Sequence, residues 1–557
     1  MRAESGIQSR DESGMKAGLK KSFRSQRVVA AAGVCLLTCV PGFFGTAALA
    51  QDTTQGSGGA ATRFAIRGFQ LEGENPLTQA ETTQVLAPFL SSEASIETLQ
   101  KATAALETLF RDRGFGLHRV SLPPQELGDR VRLDIVKFTI SKVTVSGRQK
   151  LDESNIRSSV PELQEGATPN FKRLAIQTGI ANENQGKQIQ VALKESVDPD
   201  KIDANVVVTE GKPWNFSVSL ANTGSPSSGR DRLTFAGGYA NLFNRDHQLV
   251  GAYTTSVERT NDVKQIGLNY RIPFYALGGV LSASYTQSDV VGDFGTFSST
   301  GAGRTVGLQY TQHLAPDKGY RGFWSLAVDD RVFDPTQING VVVPGSLSRR
   351  SRPFSVGYTG RSDSDTVNWG YNAELAANVV SGSGNNLAAY QAEDPRIYTA
   401  SWRAVRGGAN YLGYFSRGWL LGVRGQFQYS GNALISGEQF GVGGAGSVRG
   451  TSERALSADR GLFASVEVTT PELVTGFRLL SFVDLGSLSN VNSNGPAKPF
   501  NDQIQSVGLG LRYAGAAFSL SADYGRIVQG SVVPLTLNSS SPQRDSEKVH
   551  VNISARF

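Results

Sequence analysis

The last ten residues, KVHVNISARF, alternate without a break. Val549, Val551, Ile553, Ala555 and Phe557 are apolar, and Lys548, His550, Asn552, Ser554 and Arg556 are polar. Period two marks a strand with one apolar and one polar face. The same alternation recurs upstream in WNFSVSL (from Trp214), QIGLNYRI, TVGLQY, FWSLAV, VNWGYNAELAANV, SVGLGLRY and AFSLSADY. No convincing amphipathic helix is read after Trp214. Only AGAA separates the LRY and FSL segments, a tight hairpin, whereas connections such as RVFDPTQINGVVVPGSLSRRSRP are long and polar. Apolar faces with aromatic ends, polar opposite faces, and short turns alternating with long loops predict a transmembrane antiparallel β-barrel. The 344 residues from Trp214 onward suit 16 strands, with 14 or 18 also compatible. A soluble sandwich or propeller would have to bury those apolar faces against each other. A closed barrel has no free edge, so KVHVNISARF pairs with the first strand and Phe557 sits at the membrane interface. That ending points to the outer membrane of a Gram-negative bacterium.

Before the barrel the period changes. A strand-like RFAIRGFQLEG precedes Thr78, which with Glu81 forms a capping-box pattern. SIETLQKATAALETLFRDRGF places Ile96, Leu99, Ala102, Leu106, Leu109 and Phe110 near one helical face, with Gly114 as the stop. Strands around LHRVSL and RVRLDIV complete a β-α-α-β-β module over 63–138. A second module with the same plan occupies 139–212: ISKVTVSG, helical stretches to about Ile180, KQIQVALKE and DANVVVTEG. The barrel domain is then 213–557.

The first 50 residues read as a signal peptide. Basic KKSFRSQR leads into VVAAAGVCLLTCV, and Ala48 and Ala50 set a cleavage site before Gln51. The apolar run is too short for a membrane anchor and is broken by Pro41 and Gly42. Residues 51–62, QDTTQGSGGAAT, are a flexible linker. Cleavage would remove Cys35 and Cys39, the only cysteines, so neither disulfides nor thiolate chemistry is expected. The leader also holds seven of the 55 Lys+Arg and three of the 49 Asp+Glu, leaving a net charge near +2. A nucleic-acid role loses its support. His118, His247, His313 and His550 are scattered without metal-ligand spacing, and no G-x-S-x-G elbow is present. GVGGAG (441–446) satisfies a dinucleotide fingerprint, but no strand and helix flank it as phosphate binding requires. No cofactor, metal or nucleotide, and no enzymatic activity, is expected.

Three stretches go beyond a generic barrel: LPPQEL (122–127), GEQFGVGGAGSVRGTSERALSADRG (437–461) and FVDLG (482–486). With them the chain resembles the two-partner secretion transporters, the hemolysin secretion/activation family of the outer-membrane protein-assembly superfamily. The resemblance covers essentially the whole exported chain, as two POTRA modules (the first of the ShlB type) and a barrel. It implies that a loop at about 440–461 folds back into the lumen, its arginine pairing with an aspartate on the wall. Carried over, Val448, Arg449 and Gly450 meet Phe482, Asp484 and Gly486, with Glu453, Asp459 and Gly461 as further loop positions. Thr451 departs from the pattern, which has an aromatic there.

The implied function is export of one large unfolded protein, an adhesin, a cytolysin or a contact-dependent toxin, from the periplasm through the pore. The other implied partners are outer-membrane lipid and the barrel-assembly machinery that inserts the chain. A client would add as a strand to a POTRA sheet edge, with Gln188, Ile189, Val191 and Leu193 as candidates in the second module and the helix–strand groove of the first module taking part as well. Some members of that family carry a pore-plugging helix ahead of the first POTRA module; residues 51–62 are too few and too glycine-rich for one, so the pore is expected to be closed by the in-folded loop alone or to rest partly open. The alternatives are a foldase for other barrels, which usually carries more POTRA modules and is opposed by LPPQ, and a passive porin, which would need no periplasmic modules.

Overall fold

A computed structural model describes residues 63–557 apart from 127, 226–227, 336 and 339–340. The signal peptide and linker expected over 1–62 lie outside the described residues.

Two compact units divide the described chain at Lys137/Phe138. The first carries a mixed three-stranded sheet in which Arg130–Lys137 is central, parallel to Gly68–Glu72 and antiparallel to His118–Ser121. Helix Gln79–Leu86 begins at the Thr78/Glu81 capping box, with both reciprocal bonds present. Helix Ile96–Asp112 buries Leu99, Ala102, Leu106 and Phe110, which share the module's interior with Val131, Leu133 and Ile135. Ile96, at the first helical position, is instead 57% exposed. A short pairing of Phe64–Ile66 with Ser91–Ala94 adds a strand the sequence pattern did not reveal, because SSEA is polar and only four residues long. The LPPQ motif has a visible purpose. Two prolines cannot continue the ladder beyond Ser121, and the Gln125 amide substitutes for a strand: it accepts from the Arg132 amide at 2.7 Å and donates to the Arg132 carbonyl at 2.8 Å.

The second unit opens with the second module. Its sheet places Lys201–Glu210 between Thr139–Ser146 (parallel) and Lys187–Glu195 (antiparallel), so Lys187–Glu195 is an edge strand. Helices Glu153–Ser159 and Phe171–Asn182 cover one face, burying Ile156, Leu174 and Ile180 against Ile140, Ile189, Val206 and Val208.

From Trp214 the chain closes an antiparallel barrel. Arg349–Ser351 and Pro353–Asp363 both pair with Tyr320–Phe333 and count as one strand interrupted at Arg352, so the barrel has sixteen strands among the described residues. The last, Glu547–Arg556, pairs with the first, Trp214–Ala221, from Asn552↔Ala221 to Arg556↔Ser217. Phe557 follows, 64% exposed, its ring 5.9 Å from Phe216. The alternating apolar positions point outward as read: Trp324, Leu326, Val328, Leu375, Leu509 and Ile553 are all exposed. A continuous apolar belt of that extent requires lipid around it. Among the described residues no helix is long and apolar enough to cross a membrane; the strands do so.

Two connections differ from the sequence reading. A seven-residue helix, Leu387–Glu393, capped by Asn386, sits in the loop after Val367–Asn378, too short to show a helical period. The stretch RVFDPTQINGVVVPGSLSRRSRP is less irregular than its composition implies. Its ends belong to strands, and a two-residue pairing of Gln337–Ile338 with Val341–Val342 lies between them.

A loop clasped inside the barrel lumen

Barrel strands 11 (Trp419–Ser430) and 12 (Arg460–Thr469) are joined by a long segment that enters the lumen. A short ladder, Phe440–Val442 against Leu456–Ala458, stiffens its stem. Apolar side chains hold it to the wall: Phe440, Val442, Val448 and Leu456 pack with Phe463, Leu488 and Ile504. At the stem Glu438 accepts from Arg331 at 2.8 Å and Arg406 at 2.9 Å, both on wall strands. Asp459, fully buried, accepts from the Leu434 and Val491 amides, the Gln439 side chain and Arg396.

The tip carries the VRG triplet. Arg449 is 1% exposed and Asp484, on barrel strand 13 (Phe477–Ser489), is 0% exposed. The guanidinium forks onto that carboxylate, Nε to Oδ2 at 2.8 Å and Nη2 to Oδ1 at 2.7 Å, and the Arg449 amide adds a third bond at 3.1 Å. Ser465 on strand 12 orients Asp484 Oδ1 at 2.7 Å. The third guanidinium nitrogen lies 2.7 Å from Glu467. Below the fork lies the Phe482 ring, its centroid 3.4 Å from the guanidinium carbon, so a cation–π contact completes the seat. The phenylalanine and aspartate of F-x-D-x-G thus stand on the lumen face two residues apart, as strand period demands. Gly486, the next on that face, leaves room for Val448: a Cβ there would lie 3.2 Å from a Val448 methyl.

Gly450 is obligatory for two reasons. Its φ is +91°, and an added Cβ would meet the Gly525 carbonyl oxygen at 2.7 Å. Its amide donates to His550 Nε2 at 3.1 Å, so the closing strand also touches the tip. Thr451, the departure from the family pattern, closes the tip on itself. Its hydroxyl accepts from the Gly444 amide at 2.9 Å and donates to the Val448 carbonyl at 2.8 Å. Glu453 similarly accepts from the Ala445 amide at 2.9 Å. Gly461 allows the stem to pass close, since a Cβ there would overlap the Phe440 ring.

The structure therefore brings Val448, Arg449, Gly450, Phe482, Asp484 and Gly486 together. Glu453 and Asp459 brace the same loop, and Phe557 stands apart at the seam. The second module's candidates divide. Gln188 is exposed, but Ile189 is fully buried and Val191 and Leu193 pack partly against the module core. Their side chains are structural, leaving backbone as what the edge offers. Sequence reasoning missed Ser465, Glu467 and His550, which are polar residues in the inward phase of alternating strands. It also missed a second in-folded segment. A hairpin of Gly292–Phe294 with Phe297–Ser299 lays Phe294 and Phe297 on the wall at Ala236 and Ala252. The hydroxyl of Thr300 then donates to the Gly437 carbonyl at 2.9 Å, linking that hairpin to the clasped loop.

Residues 200–513 match the family described as haemolysin secretion/activation protein ShlB/FhaC/HecB, and residues 64–137 match the ShlB-type POTRA domain. The chain belongs to that family. Outer membrane transporter CdiB from Dickeya dadantii (strain 3937) is 23% identical over 413 residues, 72% of this chain and 71% of the relative. CdiB from Escherichia coli O6:K15:H31 (strain 536 / UPEC) is 22% identical over 493 residues, 86% and 79% of the two chains. In fold the chain is similar to solved CdiB from Escherichia coli (TM-score 0.71, 17% identity, 100% of this chain and 98% of that one). CdiB from Acinetobacter baumannii gives 0.69 at 14% identity, with 99% and 98% covered. This ShlB-family member is an outer-membrane transporter of two-partner secretion, with POTRA on the periplasmic side.

Proposed function

We propose that the second module is also a POTRA domain, that its edge strand receives an unfolded exoprotein by backbone pairing, and that the Arg449 loop gates the pore through which this client leaves. The client is a large surface-destined polypeptide of the adhesin, cytolysin or contact-dependent toxin kind; outer-membrane lipid and the barrel-assembly machinery are the remaining partners. The single observation that carries the gate is the buried Arg449–Asp484 fork, which fixes a glycine-rich loop across a water-filled lumen. Ordering such a loop costs about 1–2 kcal/mol per residue, and a charge-assisted, bidentate contact at the tip offsets part of that cost. The fork is also breakable, because lumen water can resolvate both groups once the tip moves. Arg449→Ala is the test. The barrel should insert normally, conductance in planar bilayers should rise, and the exoprotein encoded beside the transporter gene should remain in the periplasm. Normal export by a variant with raised conductance would refute a coupled gate.

A further inference from the structure

The second module meets the barrel through a sealed polar cluster. Lys187 is the first residue of the edge strand, and Asp246 lies in the turn between barrel strands 2 (Arg232–Leu242) and 3 (His247–Thr255). Their side chains are 1% and 2% exposed, and Lys187 Nζ stands 2.6 Å from Asp246 Oδ2. The ammonium also donates to Asn155 Oδ1 at 2.8 Å and Ser159 Oγ at 2.6 Å, so its three protons are all placed. Asp246 in turn accepts from the Tyr275 hydroxyl at 2.7 Å and the Asn155 amide at 3.2 Å. Asn184 donates to the Ala240 carbonyl at 2.7 Å. One cluster thus joins helix Glu153–Ser159, the edge strand and two barrel turns, since Tyr275 follows barrel strand 4 (Gln265–Phe274).

An apolar contact would hold two surfaces together as firmly, because burying charges is expensive and an ion pair seldom repays the desolvation in full. What discrete, directional bonds add is a unique angle. That angle matters here because of the strand Lys187 begins. The Ile189 amide and carbonyl are both taken by the Asn182 side chain, at 2.7 and 3.0 Å. Val191 and Leu193 follow at the strand period with the same orientation, so pairing by an added strand would start at Val191, four residues from the clamp.

We propose that the Lys187–Asp246 cluster is a positioning site for secretion, locking the client-pairing edge of the second module to the pore rim. This rests on the reading of that edge as the client's, and the experiment separates the two. Spin labels at Lys194→Cys and Ser364→Cys, both exposed, report the angle between module and barrel in the full-length transporter in vesicles. The native distance distribution should be narrow, and Lys187→Met should broaden it about twofold and lower export of the neighbouring exoprotein about tenfold, with the barrel still folded. An oxidised Asp152→Cys/Asn244→Cys tether, joining positions whose side chains touch across the junction, should restore export to Lys187→Met. An unchanged width in Lys187→Met, or an oxidised tether that leaves export low, overturns the positioning role. Val191→Pro reads the edge independently: it should keep the narrow width and lose export. Normal export by that variant removes the edge reading and with it the delivery argument.

Discussion

Two of the buried cation–carboxylate pairs in this transporter, one at the loop tip and one at the module–barrel junction, are built differently. At the loop tip Arg449 offers a planar fork to Asp484, with Glu467 on the adjacent wall strand at 2.7 Å and Asp523, two strands away on the other side, at 4.0 Å. At the junction Lys187 offers a point charge to Asp246 inside a closed set of amides and hydroxyls. The first cation rides on a glycine-rich loop and faces a wall carrying several acids, so it can leave one carboxylate while still near another. The second rides on a strand and cannot leave without unmating two folded surfaces. On the proposed gate and joint, the same elementary interaction serves a movable part in one place and a rigid joint in the other, and the difference lies in the backbone that carries it.

The sharpest way to break that contrast is Asp484→Asn. The amide keeps the shape but leaves the guanidinium buried against a neutral group, a loss of about 3 kcal/mol even with Glu467 in reach. Conductance should rise and a cysteine placed at Ala445 should become reactive from outside, while the junction's spin-label width stays native. A broadened junction in that variant would show that the two pairs are coupled rather than separate. Next in size is the apolar seat of the second inner hairpin. Phe294→Ala should cost about 3 kcal/mol locally but raise conductance less than Asp484→Asn, because the Thr300–Gly437 bond remains. Equal conductance in the two variants would mean that the plug is held by both loops alike.

Legibility in the sequence followed the same divide. The barrel announced itself because lipid and water impose a strict period of two, so Val549 to Phe557 could be read without knowing what they touch. Arg449 and Asp484 were paired through the family resemblance that the VRG and F-x-D-x-G motifs carry, and such motifs are legible because each needs small or aromatic neighbours at fixed positions along one chain segment: Gly450 for its backbone and Phe482 two residues before Asp484. Lys187 and Asp246 gave no such signal. They lie 59 residues apart, and Lys187 begins the alternating KQIQVALKE looking like any polar strand residue. Phe294 and Phe297 were hidden for a related reason. Their seat consists of small residues, Ala236 and Ala252, on two other strands, and the absence of bulk there carries no pattern that local reading can use. Period and local motif are written along the chain; complementarity between distant segments is not.

The smallest expected effect concerns a third acid, which lies between the two kinds. Glu183 follows helix Phe171–Asn182 in the second module and reaches lumen-facing Arg271, with Arg361 at 3.3 Å and His313 at 3.9 Å. At 20% side-chain exposure it is neither sealed like Asp246 nor loose. Burial alone would push its carboxyl up, but Arg271, His313 and Arg361 outweigh that and hold it below the ordinary 4.5. A carboxylate whose pKa is lower when docked than when free stabilises docking above the free value, and that contribution disappears as the pH falls through the docked value. The junction should therefore be indifferent to pH from 8 down to about 5, and the Lys194/Ser364 label distribution should widen slightly below about pH 4.5. Glu183→Gln should abolish this acid response while leaving the neutral-pH width close to native, because the Lys187 cluster remains intact. If the glutamine variant is as broad at neutral pH as Lys187→Met, the joint depends on Glu183 as heavily as on the sealed pair, and the division between movable and rigid ion pairs would have to be redrawn around exposure rather than backbone.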